Sequence, residues 1–301
     1  LAHLFVKIFE IILPVAVIVI LGYVAGRTLQ LEQRSLSRLA LYVLVPCMVF
    51  TAMSRTTLSA GEFGQIFLFL GLMTLALWPL SILTARLLRL DARSANAFHL
   101  GTLLTNVVNV GFPVLTLAYG PAALERGLVY MVGMQSLFQT LGIYLAAGGH
   151  ISARQSLRQV FLMPGLYALA AGLAVNASGI PLPAFLYDPL KMVGDALVPL
   201  LLVLLGMQLT TVRFEGRWLA AIAATVLRLV IAAGLAILLA ALMGLSGVTR
   251  QALIVEASVP SAIFGLVLAQ EFDCNPQLVT AIIFVSTVAS MFTLTVLLAI
   301  I

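Results

Sequence analysis

Charge is what this sequence has least of. Its 16 Lys and Arg and 11 Asp and Glu amount to 9% of 301 residues, where soluble domains carry about 25%. A soluble fold of this length needs far more polar surface, because much of its exterior must face water. A cytosolic enzyme and a nucleic-acid binder are therefore excluded, and the net charge of +5 forms no basic cluster or stripe. Cysteine is scarce too: Cys47 falls in an apolar run and Cys274 in a short connection, so there is no disulfide framework. Catalytic signatures are missing as well. The chain has no G-x-S-x-G, no H-E-x-x-H and no G-x-x-x-x-G-K-[ST]. Tyr187-Asp188 with Gly194-Asp195 superficially resembles the paired aspartates of intramembrane proteases, but both acids lie on one segment and cannot face each other from separate helices. The reading is not an enzyme, with no cofactor and no metal.

What the chain does have is length in apolar runs: 62% of it is hydrophobic. A bilayer core of ~30 Å needs about 20 apolar residues per helix. Ten segments qualify: 8–26, 37–53, 63–85, 95–119, 127–147, 160–177, 186–208, 218–243, 250–269 and 277–301. The first reads as a full span rather than a cleavable leader, since it lacks an Ala-x-Ala-like site. The expectation is an all-α polytopic protein of the cell's inner (plasma) membrane, multi-pass, whose surroundings are the lipid bilayer and not nucleic acid. Arg27, Arg34, Arg38, Arg86, Arg89, Arg93, Arg154, Arg158, Arg213 and Arg217 fall on one side, against Lys7, Arg55, Arg126, Lys191 and Arg250. Ten against five places both termini outside.

The sequence also repeats itself. Ile12-Leu13-Pro14 resembles Leu162-Met163-Pro164, Leu44-Val45-Pro46 equals Leu197-Val198-Pro199, Glu62 matches Glu215, and Pro121 matches Pro276. A unit of five helices crosses an odd number of times, so its copy is inserted upside down. The expected organisation is a first five-helix repeat (1–147), a cytoplasmic linker (148–159) and a second, inverted five-helix repeat (160–301). Inverted repeats are a transporter architecture, with the substrate at the midplane beside broken helices.

Two breaks stand at corresponding places. Helix 4 reads Thr105-Asn106-Val107-Val108-Asn109-Val110-Gly111-Phe112-Pro113, and helix 9 reads Glu256-Ala257-Ser258-Val259-Pro260-Ser261. Crossing half-helices aim two N-termini, with their free N–H groups, at one place, which suits an anion such as a carboxylate. Pro113 fits the first turn of the second half-helix, and Asn106, Asn109 and Ser261 supply side-chain hydrogen bonds. Gly111, Ser258 and Pro260 complete the candidate substrate site. Ionisable residues inside apolar spans are costly and face protein or water: His99, Asp195, Arg228 and Glu256. Glu256, one turn before the break, is the first candidate for a coupling proton or sodium ion; the alternative is a buried Arg228–Glu256 ion pair. Asp195 is either a coupling group or a local cap or partner, and His99 either titrates or packs through a hydrogen bond.

At these residues the sequence resembles the auxin efflux carrier family, which includes plant PIN-type carriers and bacterial malonate-carrier-like proteins. Ser37-Arg38-Leu39 leading to Val45-Pro46 follows the family pattern, and Asn106 with Gly111-Phe112-Pro113 resembles the PIN sequence N-T-L-V-M-G-I-P. Val259-Pro260, Ala269-Gln270-Glu271-Phe272, Asn275-Pro276 and Ala281-Ile282-Ile283-Phe284 resemble A-L-P, A-K-E-Y, H-P and A-V-I-F. Gln135 matches a family glutamine. The resemblance implies ten helices as two inverted repeats with broken, crossing helices 4 and 9, a scaffold and a transport domain, and elevator-like movement of organic anions. It also implies that Asn106 contacts substrate and that Glu62 matters for protons. Where PIN carriers have N-P-N-T-Y-S-S, this chain has Met163-Pro164-Gly165-Leu166-Tyr167, and Thr105 replaces the proline before Asn106. Auxin as substrate therefore does not follow.

The expected function is secondary active transport of a small organic anion, with a homodimer as the expected assembly. The alternatives are a sodium-coupled, bile-acid-symporter-like carrier with sodium near Glu256 and Gln135, and a receptor or sensor on the same fold.

Overall fold

The computed structural model describes residues 17–29, 31–148, 164–208, 210 and 217–301. In a bilayer each backbone polar group needs a partner within the protein, and a helix supplies nearly all of them internally. The described residues accordingly form no strand, only helices, turns and one isolated bridge. The helical pieces are α1 Val17–Thr28, α2 Ser35–Ser54, α3 Ala60–Leu87, α4 Ala92–Leu103, α5 Val107–Tyr119 and α6 Pro121–Ala146. They continue as α7 Pro164–Ser178, α8 Ala184–Met207, α9 Trp218–Leu242, α10 Gly247–Ser258, α11 Phe264–Glu271 and α12 Pro276–Ile300. Six of them, α2, α3, α6, α8, α9 and α12, are long and apolar enough to cross a membrane. The predicted helix 4 is thus two pieces, α4 and α5, and the predicted helix 9 is α10 and α11. The linker from 149 onward, with His150, Arg154 and Arg158, lies outside the described residues, as do Lys7, Ile12-Leu13-Pro14, Leu162-Met163, Arg213 and Glu215.

Proline and its neighbours set the helix starts. Pro121 and Pro276 each open a helix, behind Gly120 (φ 76°) and Asn275 (φ 52°). The missing proline N–H costs nothing at that position. Asn275 also accepts the Leu278 N–H at 3.1 Å, capping α12. In α2 a wide π-helical turn, Ala40–Leu44, lies directly before Pro46, which has no N–H to continue the ladder.

Contacts divide the chain into two compact units, Leu1–Ala60 with Phe161–Thr211 and Gly61–Val160 with Val212–Ile301. The first contains α1, α2, α7 and α8. Its helices approach closely through small residues: Gly22 faces the Val203 backbone, Gly206 the Val19 carbonyl, and Gly172 the Phe50 carbonyl and Met53. Asn176 Nδ2 donates to the carbonyls of Ser54 (3.3 Å) and Thr56 (3.1 Å), tying α7 to the end of α2. The second unit contains α3–α6 and α9–α12. Each unit draws helices from both halves of the sequence.

Candidate functional site

The second unit contains the two interrupted helices, and their interruptions meet. Thr105 pairs antiparallel with Ser261. The Asn106 N–H donates to the Pro260 carbonyl at 2.8 Å, and the Ala262 N–H donates to the Leu104 carbonyl at 2.9 Å. Two short extended strips thus cross, with α4 and α10 ending at them and α5 and α11 beginning beyond. Asn and Pro at these positions disfavour continued helix, and the crossing supplies the hydrogen bonds that each break would otherwise forfeit.

A helix that stops in mid-span leaves its last carbonyls without partners. For α4 the partners come from across the unit. The Gly101 carbonyl accepts the Ser261 hydroxyl, the Thr102 carbonyl accepts Arg228 Nη1 at 3.1 Å, and the Leu104 carbonyl accepts Ala262. Arg228 comes from a π-helical turn, Leu227–Ile231, inside α9, and its positive charge meets the negative end of α4. On the other side, α5 opens with the π-helical turn Val107–Gly111, which Asn106 caps by accepting the Asn109 N–H at 3.4 Å. Pro113 stands in the first turn of the α-helical part, Phe112–Tyr119, as its missing N–H suggests.

Glu256, 0% exposed, lies two residues before the last residue of α10. Its carboxyl packs directly on Gly111, where any side chain would collide with it, and on Gly127 of α6. The described ion pairs are Arg93–Asp273, Arg126–Glu62, Lys191–Asp195 and Arg217–Asp91. Glu256 and Arg228, both buried, are in none of them, so the direct pair weighed from sequence is not formed. Seven buried side-chain nitrogen or oxygen atoms among the described residues lack a hydrogen-bond partner. Six belong to the residues around the crossing: Thr105 Oγ1, Asn106 Nδ2, Arg228 Nε and Nη2, and both oxygens of Glu256. Folded proteins leave few such atoms, and a concentration of them calls for an explanation.

Nearly the whole chain, residues 7–146 and 150–298, matches a family described as membrane transport proteins, which takes in the auxin efflux carriers. The chain belongs to this family. It is 29% identical over 293 residues to an uncharacterised transporter of Methanothermobacter thermautotrophicus, covering 95% of both chains. A second uncharacterised transporter, from Methanocaldococcus jannaschii, is 24% identical over 294 residues, covering 94% of this chain and 95% of the other. Membership in a membrane transport family agrees with the reading of a multi-pass membrane protein and of a non-enzymatic role.

The remaining candidates divide around the crossing. Asn109 is half-buried in the first turn of α5. Gly111 makes room for Glu256. The Ser258 hydroxyl donates to the Ile254 carbonyl at 2.7 Å, and the Ser261 hydroxyl and N–H are both engaged, the latter with Ser286 Oγ at 3.2 Å. Ser261 thereby holds the crossing together, and Pro260 contributes its carbonyl to the same task, whereas Ser258 bonds only within α10. Gln135 is half-buried on α6, two turns beyond Gly127. Glu62, at the start of α3, pairs with Arg126 at 2.6 Å, while Thr249 bonds both. Thr249 lies two helical turns before Glu256, about 10 Å along α10. Asp195 belongs to the first unit and pairs with Lys191, one turn earlier on α8, at an exposed position. Sequence reasoning missed Thr105, the role of Gly127, and a buried chain in which Ser81 links His99 to Thr102. A serine within the apolar run of α3, near its C-terminal end, was the available signal for that chain.

Proposed function

We propose that this chain is a secondary active transporter of small organic anions, such as carboxylates, in the inner membrane. In this reading it has ten spanning helices in two inverted five-helix repeats, and it works by elevator-like alternating access. The observation that carries the proposal is the set of unmatched buried polar atoms gathered at the crossing. Asn106 Nδ2 and Arg228 Nε and Nη2 are donors without acceptors, and a carboxylate is an acceptor for such donors. The first turns of α5 and α11 add main-chain N–H groups and the positive ends of their dipoles. The crossing and all four residues belong to one unit, which supports a site that moves as a body.

Glu256 carries the coupling in this proposal. A buried carboxylate with no cation beside it is very costly, and a proton removes that cost without needing space between Gly111 and Gly127. Loading an anion beside Arg228 and a proton on Glu256 together keeps the buried charge low.

Reconstituted proteoliposomes test this with radiolabelled carboxylates, first selected by thermal shift. Uptake is expected to follow an imposed pH gradient and to be indifferent to a sodium gradient. Asn106→Ala should weaken affinity by roughly 1.5–3 kcal/mol, the value of a hydrogen bond to a charged group, or about 10- to 150-fold. Glu256→Gln should abolish gradient-driven uptake while anion exchange at equal pH persists. It should also fold normally, because Arg228 is held by the Thr102 carbonyl rather than by Glu256. Carboxylates that bind without any flux would favour the receptor reading.

A further inference from the structure

A second polar place exists in the second unit, away from the crossing. A cavity of about 840 Å³ is lined by Trp78, Asn96, His99, Tyr144, Phe272 and Cys274, among others, and neither Asn106, Arg228 nor Glu256 reaches it. That volume is in the range of small-molecule sites, ~300–1,000 Å³. Its walls are α3, the first turns of α4, the end of α6 and the turn after α11.

The charges facing it nearly cancel. Arg93, from α4, is paired at 2.9 Å with Asp273, from the turn after α11. Cys274, from the same turn, has its thiol pushed up to about 11 by burial, so it is neutral at physiological pH. The α6 end contributes Tyr144, and α3 contributes Trp78 and Ile82, which carry no charge. The state of His99, 8% exposed, therefore sets the charge of the cavity.

Hydrogen bonding engages Nδ1 of His99 with Ser81. With Thr102 Oγ1 donating to the Phe98 carbonyl at 2.9 Å, it accepts from Ser81 Oγ, 2.7 Å away. In that arrangement the Ser81 proton goes to Thr102, and Ser81 accepts from His99 Nδ1, also 2.7 Å away. Neutral His99 then carries its proton on Nδ1 and a lone pair on Nε2. A second proton enters at Nε2 without disturbing any of these bonds. The C-terminal ends of α6 and α11 border the same cavity, and their negative poles favour a cation there.

We propose that this cavity is a second binding site, which takes a soluble organic anion together with a proton held on His99 Nε2. The proton comes from water, and the imidazolium N–H and the Asn96 amide receive the anion. An imidazolium that is mostly buried is costly alone, and so is a buried anion. Each therefore favours the entry of the other, by linkage. The apolar body of the anion lies against Trp78 and Ile82. The proposal does not depend on the crossing as a transport site.

Hexanoate, a carboxylate with a short apolar chain, is the probe. Calorimetric titration of the purified protein in neutral-lipid nanodiscs, in buffers of different ionisation enthalpy, counts the protons taken up on binding. Close to one proton per hexanoate is expected, with affinity falling up to ~10-fold for each pH unit of increase. His99→Asn keeps a donor for Ser81 and removes Nε2; with Glu256→Gln present in both proteins, so that the crossing takes up no proton, it should abolish the proton uptake. Ala147→Trp fills the cavity from its rim with His99 intact, and it should abolish hexanoate binding even if His99→Asn fails to fold. Asn106→Ala should leave the proton uptake in place. Unchanged uptake in His99→Asn, unchanged binding in Ala147→Trp, or loss of binding in Asn106→Ala alone would overturn the proposal, the last by moving hexanoate to the crossing. Displacement of hexanoate by phosphatidylglycerol would overturn it too, by assigning the cavity to a lipid headgroup.

Discussion

Gly127 shows how a residue with no chemistry of its own shapes the site. A Cβ there would stand 2.8 Å from Glu256 Oε1 and 2.6 Å from Leu115 Cδ1. Glu256 is fully buried at the end of a half-helix and cannot withdraw into solvent. Gly127→Ala is therefore expected to destabilise the protein by roughly 1–3 kcal/mol, the usual range for overpacking. Adding Glu256→Ala should recover part of that loss, since the carboxyl is the nearer polar obstacle. Melting temperatures of the single and double variants check this, and a purely additive result would separate Gly127 from Glu256. Asn106 and Glu256 were legible in the sequence, because a polar residue in a lipid-spanning run demands a reason. Gly127 was not, because a glycine in a membrane helix is ordinary until its neighbour across the helix packing is known.

At the scale of the helix, the places where spans break were legible from Asn, Gly and Pro, while the partners of the broken ends were not. Arg228 reaches α4 across 126 positions of sequence, and no local pattern encodes such a distance. Helix starts are different, since their caps are local. Asp91 precedes α4, and its carboxylate accepts the Ser94 N–H at 3.0 Å and the Ser94 hydroxyl at 2.9 Å. Those bonds hold its carboxyl below the usual carboxylate range, with Arg217 adding a smaller effect. Asp91→Ala should cost about 1 kcal/mol, the typical value of a lost N-cap. A carboxyl lowered in the folded state contributes stability that is present above its unfolded value and lost as pH falls through the folded one. Wild type and Asp91→Ala should thus differ in melting temperature at neutral pH and converge in acid. A constant gap down to pH 3 would mean that the carboxylate charge plays no part in the cap.

At the scale of the molecule, the ordering of the spans was legible, since apolar length is a direct requirement of the bilayer. The grouping into two units was not, because it depends on which helices pack, and α1 and α2 join α7 and α8 rather than their own half. Charge predicts an orientation. In the second unit Arg86, Arg89 and Arg93 lie between α3 and α4, with Arg217 at the start of α9, whereas Arg126 and Arg250 lie near the opposite helix ends. The positive-inside rule predicts the Arg-rich ends in the cytoplasm, and the His99 cavity with them. Two exposed sites report on it. Ser178, at the end of α7, is expected outside, and Gln277, in the first turn of α12, is expected inside. With Cys47 and Cys274 replaced, a single cysteine at Ser178 should react with an impermeant maleimide on intact cells. One at Gln277 should react only after the membrane is opened. The reverse pattern would invert the protein, move the Glu62–Arg126 pair to the cytoplasmic face, and turn the proposed anion and proton cavity toward the outside.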